Sequence, residues 1–510
     1  MKRTRVVLLV GAVVIGACSS GSDDAPTPDT DDSVEAAMSD GDAEVEEPAD
    51  GDDADEDEPD SDEPDVDGQD SAGADADDSD EDEPDSDEPE PRYLSGDSEY
   101  LFDQEMLHTF ELDLSDEAFA ELNADPAAEE YVEGSMTFEG ETLAEVGIRY
   151  KGSIGAFLGC TAGGNPFVPS GAKTCTKLSM KVKINWNDSS DEFYGQRKIQ
   201  LHSMNLDPTL MRDRLGYWLF EQAGVPAPRS THARLMINGE FAGLFALVEQ
   251  IDGRFTRDRF DDGKGNLYKE MWPTDSDGAV RPSADLIGSL ETNEDEDPTT
   301  EIVQAFAADV LERGAASDAE AARSVFDEWT DVESTVAYAV VDRAIANDDG
   351  VFHWYCFSGP CDPHNFYIYE DPSARRVHFI PWDLDNSFEN LAAQNPITYI
   401  PDGFGEVQND CQPFTVGPLP ITQRSAACDP IIGAWALLDD EFARIDAEFR
   451  AGPFSTDQVR RQLETWSAQI APVVAEATAL GSDQPTPQEW ELAVDSLLAD
   501  IEASNVEAGA

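Results

Sequence analysis

The 510-residue chain carries 109 acidic against 32 basic side chains, a formal charge of −77. That balance excludes the lysine- and arginine-rich stripe with which a nucleic-acid binder meets phosphates, and it argues against docking on an anionic membrane surface. No apolar run reaches the 18 or so residues of a spanning helix, and seven cysteines are too few for a disulfide-dense scaffold of this length.

The chain opens on Lys2, Arg3 and Arg5, followed by the short apolar run from Val6 to Ile15. This is the layout of an export leader, too short for a stable anchor. It ends Ile15-Gly16-Ala17-Cys18, which resembles a bacterial lipobox, so residues 1–17 read as a lipoprotein signal peptide and Cys18 as the lipidated N-terminus. The expected location is outside the cytoplasm, anchored to the cell envelope by lipid alone. Residues 19–91 contain no Lys or Arg, and 35 Asp and Glu lie between Asp23 and Glu90. The string DEDEPDSDEP occurs twice, at Asp55 and at Asp80. With almost nothing apolar to bury, residues 18–92 are expected to form a disordered, self-repelling linker. Its carboxylates lack the glycines and spacing of an EF-hand loop, so diffuse cation condensation is the expected behaviour.

From residue 93 the composition becomes globular, and the first half reads as strands. Val146, Ile148 and Tyr150 alternate with Gly147, Arg149 and Lys151; Leu178, Met180, Val182 and Ile184 alternate with Ser179, Lys181 and Lys183. A helix is predicted over 208–223, capped by Asp207 and stopped at Gly224. HARLMI and EFAGLFALVE then flank Asn238-Gly239, a strong hairpin signal. The second half reads as helices over 299–313, 318–329, 332–346, 431–450, 455–480 and 487–504, interrupted by the strands NFYIYE and RVHFIPW. The expected architecture is α+β and two-lobed: a sheet-rich N-lobe over 93–250, a junction near Glu249, and a helical C-lobe over 251–510. Export makes disulfides plausible for Cys160, Cys175, Cys356, Cys361, Cys411 and Cys428. Nearest-neighbour pairing is simplest, although six cysteines allow fifteen pairings. Zinc is disfavoured because no CxxC pair exists and the six histidines are scattered.

Charge departs from the average in two places. Arg149, Lys151, Lys173, Lys177, Lys181 and Lys183 sit on or beside two strands, the one obvious place to receive a polyanion such as a nucleotide phosphate; a solvated strand face is the plainer reading. Later, Asp348-Asp349-Gly350 follows a helix, Asn365 opens a strand, and Asp383 and Asp385 end the next. Such an ordered set of carboxylate and amide oxygens suits Mg²⁺ beside substrate phosphates.

The stretches VGIRYKGS, KLSMKVKI, DPTLMRDRLGYWLFEQAGVPAP, INGEFAGLFALVEQID, GNLYK, HNFYIYEDP and IPWDLD, over roughly 105–390, together resemble the spore-coat protein H (CotH) kinase family, an atypical secreted branch of the protein-kinase-like fold. GxGxxG, HRDxxxxN and DFG signatures are absent. The resemblance implies a kinase using ATP and Mg²⁺. Asp349, with Asp348 as the alternative, would be the base; Asn365 and Asp383 would hold the metal, with Asp385 a further ligand. Lys181, or else Lys183, would contact the phosphates, assisted by Arg149 and Lys151, and residues 249–252 would form the hinge near the adenine. The expected partner is a Ser/Thr protein of the envelope or a secreted one. The rival readings are a catalytically silent surface adhesin, a nucleotidyl transferase on the same fold, and a carbohydrate-binding module.

Overall fold

The computed structural model describes residues 98–509, except 153, 164, 166–167, 189–190, 294–297, 357–359, 392–404, 416–421 and 482–483. The leader, Cys18 and the acidic linker lie outside the described residues.

Seven strands close a barrel: β1 (His108–Asp113), β2 (Val132–Phe138), β3 (Glu141–Tyr150), β4 (Met180–Lys183), β5 (Lys198–His202), β6 (Ser230–Ile237) and β7 (Glu240–Val248). All neighbours are antiparallel except β1 with β6, whose parallel pairing closes the ring. The period-two pattern decides which residues fill it. Phe110, Met136, Ile148, Val182, Ile199 and Leu247 belong to one buried cluster inside the barrel. The β6–β7 hairpin turns at Asn238 and Gly239, both at positive φ as a two-residue turn requires.

The predicted helix at 208–223 starts later, as Arg212–Gln222. The N-cap position is therefore Met211 and not the expected Asp207; from four residues back the Asp207 carboxylate still accepts from the backbone N–H groups of Met211 at 2.8 Å and Arg212 at 2.9 Å. The intervening Pro208–Leu210 turn holds Leu210 at positive φ and cannot join the helix.

Beyond the barrel, β8 (Leu267–Lys269), β9 (Trp354–Cys356), β10 (Cys361–Asp362), β11 (Phe366–Asp371) and β12 (Arg376–Pro381) follow in the chain, with β11 central between β8 and β12. Helices Glu301–Glu312, Ala319–Trp329 and Val332–Ala344 match the sequence periodicity, and Asp318 and Asp331 cap the latter two. The single helix expected over 431–450 is two, Pro430–Trp435 and Asp439–Ala451, because Leu438 breaks from helical geometry and Trp435 and Leu438 are pulled into the core. Helices Thr456–Ala477 and Pro487–Ala508 close the chain. They return to the barrel side: Gln469 meets Arg214 at 2.8 Å, and the Trp490 indole donates to the Thr209 carbonyl at 2.9 Å. The cysteines pair as nearest neighbours, Cys160–Cys175, Cys356–Cys361 and Cys411–Cys428.

Among the described residues no helix is long and apolar enough to cross a membrane.

Candidate functional site

Alternation along the barrel strands presents a polar outer face. The register aligns Gly147, Lys183 and Lys198 in one row and Arg149, Lys181 and Gln200 in the next. One further step along the ladder, the Lys151 backbone N–H donates to Ser179 O at 3.0 Å, and β5 ends in His202. These rows bring Arg149, Lys151, Lys181, Lys183 and Lys198 to one face at different depths, whereas Lys177 is buried against Leu244 and Gln484. Same-face rows are about 7 Å apart, so Lys181 stands one row and Lys183 about 14 Å from the Lys151 row.

Lys151 stands close enough to the carboxylates to act on Asp383 and is linked to Asp213 through His202. Its ammonium contacts Gln200 Oε1 at 2.7 Å and His202 Nε2 at 3.1 Å, and lies 5.1 Å from the centre of the Trp382 ring. Nδ1 of His202 lies 3.2 Å from Asp213 Oδ2. Arg149 is occupied elsewhere: it is buried, paired to Glu129 and stacked 5.1 Å over Tyr131. Lys183 lies 5.9 Å over the same tyrosine ring.

The opposing charge is built by the sheet β8–β11–β12. Glu270 follows β8, Asn365 precedes β11 and Asp383 follows β12, all at one end of the sheet. Glu270 N–H donates to Phe366 O at 3.0 Å, and Trp382 N–H donates to Asn365 O at 3.1 Å. Each of these three residues has a positive φ, 50°, 58° and 49°. Left-handed backbone is uncommon outside glycine, and three instances side by side mark a constrained site. Tyr217 on the Arg212–Gln222 helix accepts from the Asp383 N–H at 3.0 Å. Gly216 lets Leu384 pack against that helix, since a Cβ there would stand 2.8 Å from Leu384 Cδ1. This contact brings Asp383 beside Asp213. His202, Asp213 and Asp383 each offer a donor atom, all within 4.8 Å of one another.

Asp348 and Asp349 separate by their partners. Asp348 is buried, 3.6 Å from Arg343 and accepting from Asn390 at 2.6 Å. Asp349 faces the site: Oδ2 accepts from Asn365 and from Asn386, each at 3.1 Å. Burial, with Asp383 and Glu270 nearby, pushes its carboxyl up to about 7, against hydrogen bonds from Tyr355 and Asn386. Burial also raises Asp383, where Asp213 and Glu270 add to the shift and His202 and Lys151 oppose it. Asp385 is raised as well, by burial and by Asp383, Asp213 and Asp349, with Arg212 opposing. Arg212 donates to the Asp385 carbonyl at 2.9 Å and to Glu389 at 2.7 Å.

So many carboxylates with so few cations fit a bound divalent ion. Asp213 makes the point most directly: it is 3% exposed, yet its Oδ1 has no hydrogen-bond partner. Asp213, His202 and Glu270 were not anticipated from sequence. The first two had a signal, because KIQLH alternates polar with apolar residues and Asp213 opens a helix otherwise buried. Glu270 had none beyond its place after GNLYK. The expected hinge residue Glu249 is buried between Arg229 and Arg259.

A family model described as "CotH kinase protein" matches residues 148–499. The "Inner spore coat protein H-like protein" of Bacillus subtilis (strain 168) is 41% identical over 67 residues, 13% of this chain and 21% of that protein. The "Inner spore coat protein H" of the same organism is 24% identical over 197 residues, 38% of this chain and 50% of that protein. The matches thus span about a fifth and half of these relatives' lengths. A solved HipA–HipB toxin–antitoxin complex with operator DNA from Shewanella oneidensis MR-1 aligns over 72% of this chain and 74% of that one, at 11% identity and a TM-score of 0.28. That score supports no further statement. On the family match, which covers more than half of its length, the chain belongs to the CotH kinase protein family.

Proposed function

We propose that this protein is an extracytoplasmic, lipid-tethered kinase that moves the γ-phosphoryl group of ATP to a Ser or Thr hydroxyl of a secreted or envelope protein. The observation that carries the reading is the placement of Lys151, through His202, beside the Asp213 and Asp383 carboxylates, a cation next to a surplus of negative charge. Positioning and charge neutralisation supply most of phosphoryl-transfer catalysis, and this pairing offers both. The three disulfides fit an oxidising compartment.

In this mechanism Asp383, Asp213, Asn365 and Asp385 would hold a divalent ion, Mg²⁺ in the family expectation, which when bound would neutralise phosphate charge. Lys151 contacts the phosphates, with Lys181 one row behind; Lys183 and Arg149 stand back, engaged with Tyr131 and Glu129. Asp349 accepts the hydroxyl proton as the acceptor oxygen bonds to Pγ and the bridging P–O bond to ADP breaks. Asn365 and Asn386 orient its carboxylate. A carboxyl titrating near neutrality suits a base, because it is ionised at working pH yet still takes a proton.

The test is transfer from γ-labelled ATP to a mixed Ser/Thr protein acceptor, with wild type, Asp349→Ala and Asp383→Ala. Both variants are expected to fall at least about a hundredfold. Full activity in either removes that residue from the mechanism, and inactive wild type favours the adhesin.

A further inference from the structure

The donor set at Asp383 contains a nitrogen. Mg²⁺ is ordinarily held by oxygen and water, whereas imidazole ligands suit first-row transition ions. Here Nδ1 of His202 lies 3.2 Å from Asp213 Oδ2, and the donor atoms of His202, Asp213 and Asp383 all fall within 4.8 Å. For an ion bound at about 2.1–2.2 Å, adjacent octahedral donors stand about 3 Å apart and opposite ones about 4.3 Å. The His202–Asp213 separation is that of adjacent donors, and the 4.8 Å limit on the whole set is within about 0.5 Å of the opposite-donor spacing. The unpartnered Oδ1 of buried Asp213 is a second and independent sign that something is missing from its coordination.

We propose that His202 Nδ1, Asp213 and Asp383 form a mixed nitrogen–oxygen site that takes Mn²⁺, or a divalent ion of similar chemistry, in preference to Mg²⁺. The inference deepens the phosphotransfer reading by naming the ion, and rests on that reading for the ion's use but not for its binding.

Metal binding also bears on Lys151. A ring bound through Nδ1 carries its proton on Nε2. Nε2 is the atom that the Lys151 ammonium now meets at 3.1 Å. Two donors would then face each other, so Lys151 has to leave His202. Filling the metal site thereby turns the ammonium toward an incoming anion, while Gln200 keeps its own contact at 2.7 Å.

The test uses the full chain, stripped with chelator and titrated with Mn²⁺ in the absence of nucleotide. Spin-echo electron paramagnetic resonance reads nitrogen hyperfine modulation from a coordinated imidazole. The acidic linker contains no histidine, so any Mn²⁺ condensed there adds no imidazole modulation. Wild type is expected to show one tight ion with nitrogen modulation, displaced by Mg²⁺ only at about tenfold excess or more. His202→Gln should lose the modulation and weaken Mn²⁺ by about tenfold or more, and Asp213→Asn should weaken it similarly. Wild type without nitrogen modulation overturns the proposal, even if the variants fail to fold. So does modulation that survives in His202→Gln, or displacement by equimolar Mg²⁺. Nitrogen modulation with no phosphotransfer would sink the kinase reading and leave this site standing; transfer without it would do the reverse.

Discussion

Replacing Asp349 by Asn is expected to stabilise the metal-free protein while abolishing transfer. The reason is the raised carboxyl, at about 7 in the fold against an ordinary value of 3.8. A carboxyl raised by folding is protonated in both states below pH 4 and costs nothing there. Between pH 4 and 7 the unfolded chain ionises first, so stability falls as pH rises, and above pH 7 the full cost is present. At about 1.4 kcal/mol for each pKa unit the shift corresponds to about 4 kcal/mol. Asp349 is only partly buried, and solvent screening reduces the figure to about 2 kcal/mol. For a folded body of some 400 residues that is a rise of about 2 °C in melting temperature. The assay is thermal melting of wild type and Asp349→Asn with chelator present, from pH 4 to pH 8.5. The gap should be near zero at pH 4 and open across pH 5–7. A gap independent of pH, or a variant less stable than wild type at pH 8, would refute the electrostatic reasoning. Adding a divalent ion should then stabilise wild type more than the variant, because the ion neutralises a carboxylate cluster from which the substitution has already removed one charge.

Three further expectations rest on separate features. Lys151→Ala should cost far more in nucleotide affinity or turnover than Lys183→Ala, because about two rows of strand separate them; equal losses would return the phosphate contact to the β4 lysines. Opening Cys411–Cys428, which spans 17 residues, should cost about 3 kcal/mol, and opening Cys356–Cys361, which spans 5, about 2 kcal/mol, measured by urea unfolding of the paired Ser variants. Trp490→Ala should destabilise the fold by about 3–5 kcal/mol, since the indole is buried and anchors Thr209 ahead of the helix that carries Asp213; a change below about 1 kcal/mol would show the C-terminal helix to be dispensable to the barrel.

Much of this fold could be read from local patterns. The strands β3 and β4 and the β6–β7 hairpin announce themselves by alternation and by Asn238-Gly239, and the strands around Asn365 and Asp383 by NFYIYE and RVHFIPW. Closure of the barrel could not, because β1 pairs with β6 in parallel across more than a hundred residues and nothing in either strand encodes the partner. The site divides in the same way. Asp349, Asn365 and Asp383 were visible as polar residues at the ends of periodic segments. Their junction with Asp213 depends on the packing of Gly216 against Leu384, a long-range contact without sequence period. Lys151 and Lys183 stand at different depths along one face, a difference that register shows and alternation alone does not. Asp348 and Asp349 differ in their partners, Arg343 and Asn390 on one side and Asn365 and Asn386 on the other, a difference that adjacent identical residues do not announce.

The most direct test of a phosphotransfer role is to supply ATP labelled at either the α- or the γ-phosphorus, with a divalent ion and a Ser/Thr-rich protein acceptor, and to follow the label. The expected result is γ-label on the acceptor, lost on Asp383→Asn. Transfer of α-label would instead establish a nucleotidyl transferase, and no transfer of either label would contradict an enzymatic role.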